Sequence, residues 1–83
     1  MKIRFTGKAV KDAKSLDLRI QKRIRTKLEW YLTHEDPLVF ADTLTHSGLG
    51  QYRFRIGDYR VLFDVLGDTL RINRIGHRRD IYR

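Results

Sequence analysis

The run YRFRIGDYRVLFDVLGDTLRINRIG, residues 52–76, decides the fold of this chain. Three strand-like segments make it up, at residues 52–56, 59–66 and 69–76. Both gaps between them read Gly-Asp, and a two-residue connection of this kind is typical of a tight β-hairpin. The sequence therefore predicts an antiparallel meander of three strands.

Two-residue turns fix which residues lie opposite each other. The predicted pairs are Ile56 with Tyr59, Arg55 with Arg60 and Phe54 with Val61, then Leu66 with Thr69, Asp64 with Arg71 and Leu62 with Asn73. Alternation then divides the side chains between two faces of the sheet. The core face collects Tyr52, Phe54, Ile56, Tyr59, Val61, Phe63, Val65, Leu70 and Ile72. The other face collects Arg53, Arg55, Arg60, Leu62, Asp64, Arg71, Asn73 and Ile75.

The second face is called the arginine face below, after Arg53, Arg55 and Arg60. Like charges directly opposite each other, as predicted for Arg55 and Arg60, destabilise a strand pair by up to about 1 kcal/mol. Asp64 can pair with Arg71, but the pattern offers the other three arginines no carboxylate. One interpretation is that a ligand phosphate supplies the missing anion, because a guanidinium binds phosphate with two hydrogen bonds. The alternative is a hydrated surface whose arginines are simply solvated.

The first half of the chain predicts a short strand at 2–5 and a pair of helices. Thr6 and Asp17 are suited to cap the two helices, because their side-chain oxygens can accept from free helix N–H groups. The second helix shows a buried stripe of Ile20, Ile24, Leu28, Tyr31 and Leu32, opposite a polar face with Lys22, Arg25, Lys27 and Glu29. We expect Pro37 to end the helical region, a short helical turn at 39–41 and a flexible loop at 47–50.

Composition bounds the remaining choices. The chain has 83 residues, which fit one domain, 1–83, and 18 Lys and Arg against 10 Asp and Glu give a net charge of +8. Such an excess favours binding to polyanions. The absence of cysteine excludes disulfides and thiolate catalysis, and the three histidines lack zinc-ligand spacing. Without a long apolar run, we expect no signal peptide, no membrane span and a cytoplasmic location.

The closing segment GHRRDIYR, residues 76–83, adds basic and aromatic side chains to those of the arginine face. His77 and Arg78 are predicted to leave the last strand beside the arginine face. Tyr82 offers a ring on which a base can stack, or else Ile81 and Tyr82 only fix the segment to the core. Both alternatives are open at this stage.

The order βααβββ, the run YRFRIGDYRVLFDV and the segment GHRRDIYR together resemble the RelE/ParE toxin superfamily, its RelE-like branch in particular. The resemblance covers nearly the whole chain and implies the α+β RelE-like microbial RNase fold, with a helical hairpin on a small, mainly antiparallel sheet. It also implies the toxin of a type II toxin–antitoxin pair. Such a toxin cuts mRNA in the ribosomal A site through the RNA's own 2′-hydroxyl, without metal or cofactor. A cognate antitoxin that wraps its toxin in a hetero-oligomer is implied as well.

The resemblance also assigns catalytic residues: Arg53, Arg55, Arg60, Arg78 and Tyr82, to which the chemistry of the segment adds His77. The arginines would hold the phosphodiester and offset charge as the transition state forms. Some relatives carry lysines at the first two positions, and a lysine can lose its proton where an arginine cannot. Tyr82 and His77 are therefore the candidates for the base. The spacing of the closing motif leaves the choice between Arg78 and Arg79 open.

Two other functions fit the same fold. A ParE-like toxin inhibits DNA gyrase without catalysis, and an inactive relative would bind RNA without cutting it. Fold alone does not decide among the three.

Overall fold

A computed structural model describes residues 1–45 and 48–83. In chain order the elements are β1 (Lys2–Phe5), α1 (Gly7–Lys14), α2 (Leu18–Leu32), a 3₁₀ helix (Pro37–Phe40), β2 (Asp42–Thr43), β3 (Tyr52–Ile56), β4 (Tyr59–Leu66) and β5 (Thr69–His77). The five strands form one sheet in the order β1-β5-β4-β3-β2, with β1 parallel to β5 and the other pairs antiparallel. The predicted α+β arrangement is confirmed, with β2 as an additional edge strand. The predicted loop at 47–50 lies partly outside the described residues.

Both helices begin where their capping residues predict. The Thr6 hydroxyl accepts from the Ala9 N–H at 3.1 Å, and an Asp17 carboxylate oxygen accepts from the Arg19 N–H at 2.8 Å. Each bond satisfies one of the N–H groups that a helix leaves free at its start. Each capping residue directly precedes its own helix, so the start of each helix is determined by the local sequence.

The end of α2 corrects one prediction. Pro37 does not end this helix, which stops at Leu32; instead it opens the 3₁₀ helix. The Thr33 hydroxyl donates to the Trp30 carbonyl at 2.6 Å. Side-chain bonds of this type compete with the next turn of backbone bonds, and this ends α2 before the proline is reached.

The core lies between the two helices and one face of the sheet. The predicted stripe of α2 is buried at Ile24, Leu28 and Tyr31 and meets the buried β3 and β4 side chains. The Tyr31 and Phe54 rings stack with centroids 4.3 Å apart, and Phe54 stacks on Phe63 at 4.5 Å. Burial raises the pKa of the Tyr31 phenol. The predicted core face is therefore the one the helices cover, and the arginine face is left on the opposite side.

The register of the first hairpin is as predicted, but the second contains a β-bulge. Asp64 pairs with Arg71 as expected, whereas Leu62 pairs with Arg74 rather than Asn73. The Asn73 side-chain amide donates to Asp64 at 3.0 Å and to the Leu49 carbonyl at 3.2 Å. These bonds hold Asn73 as the extra residue of the bulge.

Beyond the bulge, each β5 side chain lies on the opposite face of the sheet from the one that simple alternation predicts. Ile75 now pairs with Val61 and is buried in the core, which corrects its predicted place on the arginine face. Leu62 stays on the arginine face but is fully buried, because the closing segment folds back over that side of the sheet. A β carbon at Gly76 would lie only 3.1 Å from Ile81 Cδ1, and Ile81 is itself buried. Ile81 therefore fixes the closing segment to the sheet, as one of the two alternatives predicted.

Candidate functional site

Asp42 lies at the centre of the arginine face. Strand β2 pairs with β3 so that Asp42 is opposite Arg53. One oxygen of Asp42, Oδ2, lies 3.3 Å from the Nε of Arg53 and 2.9 Å from the Nε of Arg55. The expectation that no carboxylate serves these two arginines is therefore wrong. Sequence reasoning missed Asp42 because a two-residue edge strand leaves no alternation to detect.

Tyr82 reaches the same cluster from the closing segment. The Arg53 Nη1 donates a hydrogen bond to the Tyr82 hydroxyl at 2.9 Å. This bond, and more weakly the contact with Asp42, raises the pKa of the Arg53 guanidinium, although partial burial acts in the opposite direction. Arg53 is thus held charged between a carboxylate and a phenol. The Tyr82 ring is 45% exposed, so it is open to a ligand on its outer side.

Arg60 and Arg78 both contact the turn between β3 and β4. Arg60 Nη1 donates to the carbonyls of Gly57 and Tyr59, each at 2.9 Å. The Arg78 N–H donates to the Asp58 carbonyl at 2.7 Å, and its Nε lies 3.6 Å from an Asp58 carboxylate oxygen. Both residues therefore brace the turn beside the Arg53–Arg55 cluster, and Arg60 has a structural role that the sequence did not indicate.

His77 is not beside the arginine face, contrary to the prediction. It pairs with Tyr59, and the two rings meet edge to face with centroids 5.4 Å apart. Tyr59 packs against the core on the helix-covered side, and the bulge at Asn73 is what turns His77 toward that side. The Nδ1 atom of His77 accepts from the Arg79 N–H at 3.1 Å. The Nδ1 atom is therefore already engaged by the closing segment.

Asp64 holds the sheet behind the cluster. It accepts hydrogen bonds from the Gln51 N–H at 2.9 Å, from Asn73 at 3.0 Å and from Arg71 at 2.8 Å. Burial raises the pKa of this carboxyl, but the hydrogen bonds from Asn73, Arg71 and Gln51 outweigh it and the pKa lies below its usual value. Asp64 is therefore a structural carboxylate that joins β4, β5 and the start of β3.

The structure also bears on metal binding and on membrane insertion. Among the described residues, no group of three or more His, Asp or Glu side chains is placed to hold a metal ion. No helix in residues 1–45 or 48–83 is long and apolar enough to cross a bilayer.

Two helices on one side of a five-stranded sheet, with arginines and a tyrosine gathered on the other, form the arrangement expected for a small toxin of the RelE/ParE class. The model of the ParE toxin family of type II toxin–antitoxin systems matches residues 3–82, and the chain belongs to this family. It is also 35% identical to Toxin RelE3 of Methanocaldococcus jannaschii, over 99% of this chain and 96% of that protein.

Solved structures give the same classification. The RelBE2 toxin–antitoxin complex from Mycobacterium tuberculosis contains a chain that matches with a TM-score of 0.75 and 28% identity, covering 93% of this chain and 96% of that one. The RelB–RelE complex from Methanococcus jannaschii matches with a TM-score of 0.69 and 33% identity, covering 94% and 93%. The chain is therefore a type II toxin of the RelE/ParE superfamily, and the expected fold is confirmed.

Proposed function

We propose that this toxin is a ribosome-dependent endoribonuclease that cuts mRNA in the A site without a metal ion. The observation that carries the proposal is the cluster of Arg53, Arg55 and Tyr82 on the face of the sheet opposite the helices. Two guanidinium groups can bind one phosphate and offset its developing charge, and a phenol beside them can transfer a proton, which suits phosphodiester cleavage by an internal nucleophile.

The reaction would proceed by attack of a ribose 2′-oxygen on the adjacent phosphorus. The new P–O2′ bond forms as the P–O5′ bond breaks, and this leaves a 2′,3′-cyclic phosphate and a 5′-hydroxyl. The 2′-hydroxyl loses its proton to a base, and the departing 5′-oxygen gains one. Arg53 and Arg55 would bind the phosphate while Asp42 holds their Nε atoms, and they would stabilise the extra negative charge of the transition state. Arg78, beside the same turn, would offset charge on the leaving oxygen.

For the base we favour Tyr82 over His77. The Tyr82 hydroxyl lies 2.9 Å from Arg53 Nη1, so it is next to the position that a phosphate bound by Arg53 would occupy. His77 uses its Nδ1 as an acceptor for Arg79 and lies on the other side of the sheet. Of the two candidates from the sequence, only Tyr82 lies within the arginine cluster.

We further propose a cognate antitoxin as the partner of the free toxin, in a hetero-oligomer. The two structural relatives above were both solved as toxin–antitoxin complexes. The ribosome and its mRNA are the proposed target, and the net charge of +8 suits an RNA-rich surface.

The decisive experiment is mRNA cleavage on programmed ribosomes, with naked mRNA as the control. We expect the wild-type toxin to cut at the A-site codon and Arg53→Gln to leave the mRNA intact. Arg60→Ala is a weaker choice of variant, because Arg60 also braces the β3–β4 turn. Intact mRNA after incubation with folded wild-type toxin, free of antitoxin, would refute the proposal.

Gyrase inhibition is the second candidate, because the matching family model is that of the ParE toxin. In that case the arginine face would be a protein-binding surface rather than a catalytic one. A supercoiling assay separates the two functions. Loss of gyrase activity at stoichiometric toxin, with mRNA uncut on the ribosome, would favour the ParE-like function.

A further inference from the structure

A second basic surface lies on α2, at the edge of the arginine face. Arg19, Lys22, Arg23 and Lys27 line a groove between this helix and the end of β3, and we call these four residues the α2 ridge. Their spacing of three and four residues places them along one side of the helix, next to the buried stripe. The groove is continuous with the arginine face, because Arg55 also lines it.

The cations of the ridge have almost no carboxylate partners in the described part of the chain, and in this sense they are called unpaired below. Within the described part of the chain, no carboxylate lies within 4 Å of Lys22, Arg23 or Lys27. Arg19 has only a contact of 3.9 Å with Asp17, and its side chain is 95% exposed. Among residues 1–45 and 48–83, no acidic side chain lines the groove. This concentration of like charge is destabilising unless an anion from outside neutralises it.

An exposed aromatic ring ends the ridge. Trp30 lines the same groove and is 45% exposed, with the Lys27 ammonium 4.6 Å from its ring centroid. Its inner edge is fixed, because the ring packs on Phe40 with centroids 5.0 Å apart. An exposed indole beside cations that have no carboxylate partner is a combination on which single-stranded nucleic acids bind, with bases stacked and phosphates neutralised.

The geometry points to the α2 ridge as a binding site for the backbone of single-stranded RNA, with Trp30 as the platform for one base. The inference rests on the proposed function, because it takes the strand on the arginine face and extends it across Arg55 and Gly57 onto α2. The Arg23 guanidinium already lies over that turn, where a β carbon at Gly57 would be 2.6 Å from its Nη2. RNA that leaves the cleavage cluster along this path meets three further unpaired cations before it reaches Trp30.

The test measures binding of a fully 2′-O-methylated oligoribonucleotide, which the toxin cannot cut because the nucleophile is blocked. The ridge variant combines Lys22→Gln, Arg23→Gln and Lys27→Gln. Its matched control combines Lys8→Gln, Lys11→Gln and Lys14→Gln on α1, which removes the same charge from three exposed residues of the other helix. We expect the ridge variant to bind at least tenfold more weakly, and its salt slope to fall by about 2, since each phosphate contact contributes roughly 0.7. The α1 control should keep the wild-type slope.

Trp30 reports on the same site directly, because it is the only tryptophan in the chain. We expect the oligoribonucleotide to quench its fluorescence in the wild type, and equally in Arg53→Gln, at saturation. An unchanged emission, or a ridge variant that binds RNA as well as the α1 control does, would overturn the inference. It is overturned too if the ridge variant loses affinity for an antitoxin while it keeps its affinity for RNA.

These outcomes are separate from those of the proposed function. If the ribosome assay shows no cleavage while Trp30 quenching and the ridge effect remain, RNA binding stands and the endoribonuclease fails. If cleavage occurs and the ridge variant binds RNA as tightly as the α1 control does, the endoribonuclease stands and RNA binding by the α2 ridge fails.

Discussion

On the arginine face, Arg53 and Arg55 share the carboxylate of Asp42, whereas Lys22 and Arg23 on the α2 ridge have no carboxylate within 4 Å in the described part of the chain. The paired arginines are held in one geometry before any ligand arrives. Lys22 and Arg23 are exposed, and no carboxylate fixes them. Charge that is fixed in advance stabilises a transition state well, because no reorganisation is needed during the reaction. Exposed surface charge without such pairing contributes mainly to affinity, through the counterions it releases when RNA binds.

The comparison therefore predicts a division of labour between the two regions. Substitutions on the arginine face should lower the rate of cleavage more than they lower RNA affinity. Substitutions on the α2 ridge should do the opposite. If substitutions in the two regions changed the cleavage rate and the RNA affinity alike, the difference in carboxylate pairing would have no functional meaning.

The largest effect is expected from Arg53→Gln. Loss of one preorganised donor to transition-state charge typically slows a reaction by about 10²–10³-fold. Single-turnover cleavage on ribosomes measures this rate, with Arg25→Gln as a control that removes one exposed charge from α2 away from both regions. Equal rates for the two variants would show that only net charge matters.

The next effect is expected from Tyr82→Phe, which keeps the ring and removes the proposed base. General acid–base groups contribute about 10²–10⁴-fold, and we expect a loss near the lower end of this range. His77→Asn, on the other side of the sheet, should retain most of the activity. A large loss with His77→Asn and none with Tyr82→Phe would exchange the two assignments.

Asp42→Asn tests the pairing itself. Removing the carboxylate takes away a negative charge that opposes the RNA phosphate at the same two guanidinium groups, so RNA affinity should rise by a few-fold, consistent with about 1 kcal/mol or less for an exposed ion pair. The cleavage rate should fall by roughly tenfold, because Arg53 and Arg55 are no longer fixed. Binding of the 2′-O-methylated oligoribonucleotide and single-turnover cleavage measure the two quantities separately. A fall in affinity would mean that Asp42 orients the arginines for binding rather than competing with the phosphate.

The sequence predicts much of this arrangement correctly, and the wrong predictions have one main physical cause. The alternation in 52–66 and the Gly-Asp turns predict the first hairpin and the arginine face correctly, because both are local signals. The bulge at Asn73 depends on Asp64 and the Leu49 carbonyl, which the chain brings together only in the folded sheet. One extra residue reverses the faces beyond it, so the single missed bulge accounts for the wrong positions of both Ile75 and His77.

Asp42 was missed for a different reason. Its role requires β2 to pair with β3, and a strand of two residues has too little sequence to show a period. Of the α2 ridge, the sequence analysis includes only Lys22 and Lys27, as part of a polar helix face. What distinguishes it is the absence of partner carboxylates in the described part of the chain together with its position beside Arg55, and both are properties of the fold.

A smaller effect, on stability, is expected from Asp64→Asn. Because its hydrogen bonds hold the pKa of Asp64 below the unfolded value, its contribution is present above about pH 4 and is lost as the pH falls through the folded pKa. We expect the variant to be less stable by about 1 kcal/mol at pH 7, and the difference to shrink toward pH 3. Urea unfolding at several pH values measures it. A difference that does not change with pH would mean that packing rather than charge holds this part of the sheet.

The smallest effect distinguishes the two Gly-Asp turns and tests the junction between the two regions. Gly57 and Gly67 both have φ of +60°, where a β carbon costs about 1 kcal/mol, so alanine at either position should lower stability by a similar amount. At Gly67 the new methyl group meets open space, whereas at Gly57 it displaces the Arg23 guanidinium. If RNA crosses this turn to reach the α2 ridge, Gly57→Ala should weaken oligoribonucleotide binding by a few-fold through the loss of one phosphate contact, and Gly67→Ala should not. Equal RNA affinities for the two variants, at equal stability, would show that the strand does not pass over the β3–β4 turn and that the arginine face and the α2 ridge bind separately.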